Sequence, residues 1–212
     1  MMDLKKELAS DLGELVEVLG SLAAGGTTNP TRCMIYGAVE KCMAALKNGS
    51  PLFAAGNGGS YADAAHMVGE LSGWYNDPHH TRPSLPVILL GANHASLTAI
   101  ANDVGYNKVF SRELEGFLNA GIAKSGSVFV AFSTSGNSQN IIEAAKVAKR
   151  YRMSVVGFLG KDGGRLAGLC DYPIIVPSTS TARIQEVHHV LYHYFCRMIE
   201  KGCMKQTFLR DQ

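Results

Sequence analysis

The sequence predicts a doubly wound α/β fold, a parallel sheet of about five strands with an N-terminal helical hairpin. Two observations carry that reading. Five short apolar runs, PLFAAG from residue 51, PVILLG (86–91), VFVAFS (128–133), SVVGFLG (154–160) and YPIIVP (172–177), hold few alternating polar residues, the pattern of strands covered on both faces. Helical segments near 60–74, 96–119, 138–151 and 164–169 fall between them, and a last helix over about 181–202 closes the alternation.

At the N-terminus, Leu4, Leu8, Leu12, Leu15, Leu19 and Leu22 recur at three- and four-residue steps, which predicts a helix over 3–23 with a narrow leucine seam that needs a partner. The loop GGTTNPT breaks it. Met34, Ile35, Ala38, Val39, Cys42, Met43 and Leu46 then mark a second amphipathic helix ending near Asn48 and Gly49. The hairpin, residues 1–50, belongs to the same domain as the α/β unit, 51–212, and is suited equally to packing on its own core and to oligomer contact. With 212 residues, 46% apolar and 18% charged, one domain is expected. Twenty basic against eighteen acidic side chains, with no charge run, argue against nucleic-acid and membrane-surface partners and for a small molecule. Five widely spaced cysteines with no Cys-x-x-Cys read as reduced thiols of a cytoplasmic protein. The first residues lack the pattern of a secretory signal, and no apolar run is long enough to span a bilayer.

Two strand-end turns attract attention. In FAAGNGGSYADAAHMVGE (53–70), Gly56, Gly58 and Gly59 let a ligand approach the backbone where a helix starts, and the unpaired N–H groups of a first helical turn favour anions. In AFSTSGNSQN (131–140), Ser133, Thr134, Ser135 and Ser138 supply more hydroxyls than one helix cap requires, as a phosphate site would. No Gly-Lys-Ser/Thr follows, and the first turn lacks the third glycine of a dinucleotide fingerprint, so a sugar phosphate fits better than a nucleotide. His66 and Glu70, four residues apart on one helix, point the same way and could share a metal or a substrate. On the last helix, Ile184, Val187, Leu191, Phe195 and Met198 form an apolar stripe, while Gln185, His189 and His193 form another. His188 lies nearer the apolar stripe and reads as a core residue. By spacing, His189 and His193 are the natural ligand pair, since Gln185 and His193 stand ~12 Å apart along the axis.

GNGGSYADAAHMVGEL, IANDVGY, FSTSGNS, GKDGG and ARIQEVHHVLYH, in this order, resemble the sedoheptulose 7-phosphate isomerases (phosphoheptose isomerases) of the sugar isomerase (SIS) superfamily, over nearly the whole chain from about residue 30. The resemblance implies a cytoplasmic homotetramer of SIS-type domains that forms D-glycero-D-manno-heptose 7-phosphate for surface polysaccharide, through an enediol at a zinc site. The family's metal ligands fall on His66, Glu70, Gln185 and His193, and its acid/base pair on Glu70 and His193; His189 occupies a position that is usually apolar and stays open as an alternative. Substrate contacts fall on Asn57, Gly58, Gly59, Ser60, Asn102, Asp103, Ser133, Thr134, Ser135, Ser138 and Gln185. Two departures stand out. Trp74 replaces an arginine usual four residues after the glutamate, and the segment 76–86, with His79, His80 and Arg82, is longer than the family's; Arg82 is a candidate to restore the missing substrate contact, against the plainer reading of an exposed polar loop. The rival readings are a non-catalytic member that binds a replication initiator, a sugar-phosphate sensor, and an arabinose 5-phosphate isomerase, the last of which commonly carries an extra domain that this length does not accommodate. Retention of His66, Glu70, Gln185 and His193 together favours the heptose enzyme.

Overall fold

The computed structural model describes residues 3–24, 29–76 and 82–204; His79 and His80 lie outside them. Five strands, β1 (Leu52–Ala55), β2 (Val87–Leu89), β3 (Val128–Ser133), β4 (Ser154–Gly160) and β5 (Tyr172–Val176), form one parallel sheet in the order β2-β1-β3-β4-β5. Alternate residues of each strand face opposite sides, so Leu52 and Ala54 of β1 join one buried cluster and Phe53 and Ala55 the other. The first cluster is roofed by α2 (Pro30–Lys47), α3 (Gly59–Ser72) and α8 (Thr181–Met204), the second by α5 (Val109–Asn119) and α6 (Gln139–Arg150). The winding reverses between β1 and β3, and the crevice beyond their carboxyl ends is where a fold of this kind holds ligands.

The expected helix over 96–119 is two helices. α4 (His94–Val104) stops at Gly105, whose φ of +96° no helix tolerates, and a short 3₁₀ turn at Tyr106–Lys108 leads into α5. The short α7 (Gly164–Ala167) matches the expected segment near 164–169. The leucine seam of α1 (Leu4–Ala23) is divided: Leu15, Leu19 and Leu22 pack with Val18 against Val176, Ile184 and Val187, whereas Leu4, Leu8 and Leu12 are exposed. Among the described residues no helix is long and apolar enough to cross a membrane.

Helices on one face of a parallel sheet run alongside each other in the same direction, and α3 and α8 are fastened at several heights. Near the start, Gln185 Nε2 reaches Ser60 Oγ at 3.5 Å; midway, the Tyr192 hydroxyl meets His66 Nδ1 at 2.9 Å. At the carboxyl end Arg82 closes the joint. Its Nε donates to Glu200 of α8 at 3.1 Å, while its other nitrogens donate to the carbonyls of Glu70, Leu71 and Gly73, the open end of α3. Glu200 also accepts from the backbone N–H groups of Tyr75 and Asn76. Arg82 is 2% exposed and therefore does not supply the substrate contact considered from the sequence, although Pro83 and Ser84 beside it are exposed. A guanidinium fits this role because its fork of donors satisfies a carboxylate and several helix-end carbonyls together.

His188 is fully buried against the Phe132 and Phe158 rings, and its Nε2–H donates to the Leu159 carbonyl at 3.0 Å. Burial pulls its imidazole down to about 4, with the hydrogen bond opposing. A histidine depressed in this way stabilises the fold fully above its unfolded value near 6.5, and the contribution is lost as pH falls through about 4.

Chemical denaturation between pH 6.5 and 4 should show a loss of ~3 kcal/mol that is absent in His188→Gln; parallel curves for the two proteins would contradict the assignment. Glu200→Ala should lower the unfolding free energy by about 3–5 kcal/mol, because it removes the buried carboxylate that accepts from the Arg82 guanidinium and from the Tyr75 and Asn76 N–H groups.

Candidate active site

The site is built at two helix starts. After β1 the chain turns so tightly that a Cβ on Gly56 would come within 2.2 Å of the Ser60 carbonyl, and Gly58 takes φ +54° to launch α3. Neither α3 nor α6 receives a side-chain cap, whereas α1, α2 and α4 are closed by Asp3, Asn29 and Asn93. First-turn N–H groups at both strand ends of the crevice are thus left for a ligand. Ser133 and Ser138 share a hydrogen bond of 3.2 Å instead of capping α6, and Ser135 supports the Asn137 N–H. The GKDGG segment explains itself here: a Cβ on Gly136 would come within 1.8 Å of the Gly163 carbonyl, so the two turns lie backbone against backbone.

Asn57 and Asn140 exchange amide hydrogen bonds of 2.9 and 2.8 Å across the crevice, and the Tyr106 hydroxyl donates to Asn57 Oδ1. A cavity of about 230 Å³ opens beside them, lined by Gly56, Gly58, Tyr61 and His94. Ser135 and Asn137 border a wider cleft of about 840 Å³ that also meets Lys161, Asp162 and Glu14 of α1. Asn102 and Asp103 are exposed near the end of α4, bonded to each other at 2.9 Å, one turn before Tyr106.

The second half of the site is the seam between α3 and α8. His66 Nε2 lies 3.0 Å from Glu70 Oε1. The His66 ring centroid is 5.1 Å from that of His193 and 5.2 Å from that of His189, so the two distant helices do bring their imidazoles together. Donor atoms of His66, His189 and His193 all fall within 4.8 Å of one another. Burial lowers the pKa of both α8 histidines, and the neighbouring imidazoles push the same way, while Glu70 opposes at His193. Gln185 is placed differently: its amide covers Gly59, where a Cβ would approach within 2.6 Å, and faces Ser60. Trp74 is half exposed, its indole N–H donating to the Arg82 carbonyl.

Two groups at the seam escaped the sequence reading. The fully buried Tyr192 places its hydroxyl between His66 Nδ1 (2.9 Å) and His189 Nδ1 (2.8 Å). Asp63 is buried with Oδ2 unpartnered, and burial pushes its carboxyl up to about 6, against the pull of His66. A carboxylate three residues before His66, on the inward face of an amphipathic helix, was a legible signal for Asp63; Tyr192, among Leu191, Phe195 and Met198, gave none.

The chain's similarities agree with this geometry. The family model for the SIS domain matches residues 28–160. A phosphoheptose isomerase of a Nitratiruptor species is 44% identical over 171 residues, 81% of this chain and 87% of its own length. The structure of phosphoheptose isomerase from Neisseria gonorrhoeae superposes with a TM-score of 0.80 at 34% identity, over 94% of this chain and all of that one. A phosphoheptose isomerase from Francisella tularensis gives 0.83 at 27% identity over the same shares. By sequence along most of its length and by fold, the chain belongs to the phosphoheptose isomerase family of SIS-domain proteins.

Proposed function

We propose that this protein is a cytoplasmic isomerase that interconverts sedoheptulose 7-phosphate and D-glycero-D-manno-heptose 7-phosphate for surface polysaccharide, working as a homotetramer. The observation that carries this reading is the meeting of Glu70, His66 and His193 at one seam that starts from the glycine turn. The phosphate is assigned to the start of α6 with Ser133, Thr134, Ser135 and Ser138. The sugar hydroxyls are assigned to Asn57, Gly58, Gly59, Ser60 and Gln185, with Asn102 and Asp103 at the outer edge.

Moving a carbonyl from C2 to C1 needs a base for a carbon-bound proton and a partner that exchanges protons with the oxygens. Glu70 takes the proton from C1 and returns it to C2. His193, kept neutral by its depressed pKa, donates a proton to O2 and recovers one from O1, so that the intermediate is an enediol. Both groups end the cycle as they began it.

The donor set fits zinc, the metal expected from the resemblance: three imidazoles and a carboxylate converge, and the lowered pKa of His189 and His193 keeps their lone pairs available near neutral pH. His66, Glu70 and His193 would hold the ion, with Gln185 as the family's fourth ligand. When bound, zinc would supply Lewis acidity toward the sugar oxygens. Glu70 can serve as base only if its hold on the ion is labile.

Incubation with sedoheptulose 7-phosphate should yield an aldose phosphate, and chelation should suppress it. Glu70→Gln should lower turnover by about two to four orders of magnitude. Undiminished turnover with zinc retained would contradict the assignment.

A further inference from the structure

We propose that in this chain the metal is held by three imidazoles, with His189 as a ligand in place of Gln185, and that Tyr192 is the positioning residue that orients two of them. The proposal rests on the reading of the seam as the isomerase's metal site and concerns which side chains of this protein build it.

The geometry favours His189 over Gln185. His189 sits midway between Gln185 and His193 on α8, about 6 Å along the axis from each. Its ring lies 4.4 Å from that of His193 and 5.2 Å from that of His66, centroid to centroid. Small side-chain rotations would bring donors now within 4.8 Å of one another to the ~3.4 Å separation of tetrahedral ligands at ordinary zinc–nitrogen distances. The Gln185 amide, by contrast, is turned to Gly59 and Ser60 at the anion-binding end of α3. A neutral amide oxygen is also a weaker ligand for a first-row divalent ion than an imidazole nitrogen.

Tyr192 supplies the second, independent observation. Its hydroxyl contacts the Nδ1 atoms of both His66 and His189, so Nε2 is the nitrogen of each ring that would bind an ion, and that of His66 already faces Glu70 at 3.0 Å. Without metal, one hydroxyl proton serves two nitrogens, so the hydroxyl donates to one ring and accepts from the other. With both Nε2 atoms committed to a metal, both rings carry Nδ1–H, and the phenolic oxygen has the two lone pairs to accept them. Its own proton then needs another acceptor. Asp63 is buried, has an oxygen without a partner, and acts electrostatically on Tyr192 and on His66. Paired with that oxygen, the phenol would relay the carboxylate-backed support that metal-bound histidines commonly have.

A nitrogen-rich site of this kind favours zinc, cobalt, nickel or copper over magnesium or manganese, and leaves Gln185 to bind the sugar.

The test measures affinity for zinc and cobalt alone, by competition with a chromophoric chelator on the full-length apo-protein, together with the visible spectrum of the cobalt form. His189→Ala should weaken zinc binding at least about tenfold and alter the cobalt spectrum, and Tyr192→Phe should weaken it by roughly ten- to a hundredfold. Gln185→Ala should stay within about threefold of the parent, with an unchanged cobalt spectrum and a raised KM for the sugar phosphate. His189 is exposed, so its loss leaves the core intact, and thermal unfolding of each apo-variant checks this. Parent-like zinc affinity and cobalt spectrum in His189→Ala, or loss of metal in Gln185→Ala, would overturn the proposal. Histidine-dependent metal binding without turnover of sedoheptulose 7-phosphate would uphold the ligand set and overturn the isomerase reading alone.

Discussion

The joint between α3 and α8 is the constraint on which the site depends. The two helices are separated by more than a hundred residues, yet residues 60, 66 and 67 of one face residues 185, 192 and 196 of the other in matched order. The parallel sheet makes that alignment possible, because helices on one of its faces share a direction and keep their starts at the ligand edge. Arg82 and Glu200 fix it. Their pair is expensive to bury, and the cost is met because the same guanidinium satisfies the carbonyls that end α3 while the same carboxylate holds the next two backbone N–H groups. Helix termination and helix docking are thus one interaction, and Glu70 sits in the last turn before it.

From that alignment comes an electrical division of labour along α3. Its first turn presents unsatisfied N–H groups and a partial positive charge, suited to an anionic substrate. Farther along, His66 and His193 approach Glu70 in an imidazole cluster whose two α8 members, His189 and His193, have lowered proton affinity, suited to a cation and to proton transfer. The sugar's hydroxyls and its reacting carbons would be drawn to different heights of one rigid element, with the phosphate held at the neighbouring start of α6. Pre-alignment of this type reduces the ordering of the sugar that binding must achieve.

Much of the fold was legible because apolar runs and helical periodicity are local signals: the five strands and most helices lie within a few residues of their expected bounds. The break at Gly105 was hidden because a lone glycine inside a periodic pattern does not announce a positive φ. Arg82 was misjudged for a different reason. Its neighbours in sequence are those of a polar loop, and only the tertiary arrangement buries it against Glu200, 118 residues away. The glycine and serine turns were readable from residue type, since glycines at a strand end mark a close backbone approach and the hydroxyls outnumber what one helix cap requires. Which α8 side chain joins His66 was not, because Gln185, His189 and His193 share one stripe, and the choice depends on the height at which the two helices are pinned.

The account stands or falls on a carbon-bound proton passing through Glu70 at this joint. The most direct measurement is conversion of sedoheptulose 7-phosphate in deuterated water, with the isotope at each sugar carbon read by nuclear magnetic resonance. Solvent deuterium at C2 of the aldose product, with incorporation abolished along with turnover in Glu70→Gln, is the predicted result. Conversion that proceeds at an undiminished rate in Glu70→Gln, with or without solvent deuterium at C2, would contradict it, since the hydrogen would then have moved between the carbons without visiting that carboxylate.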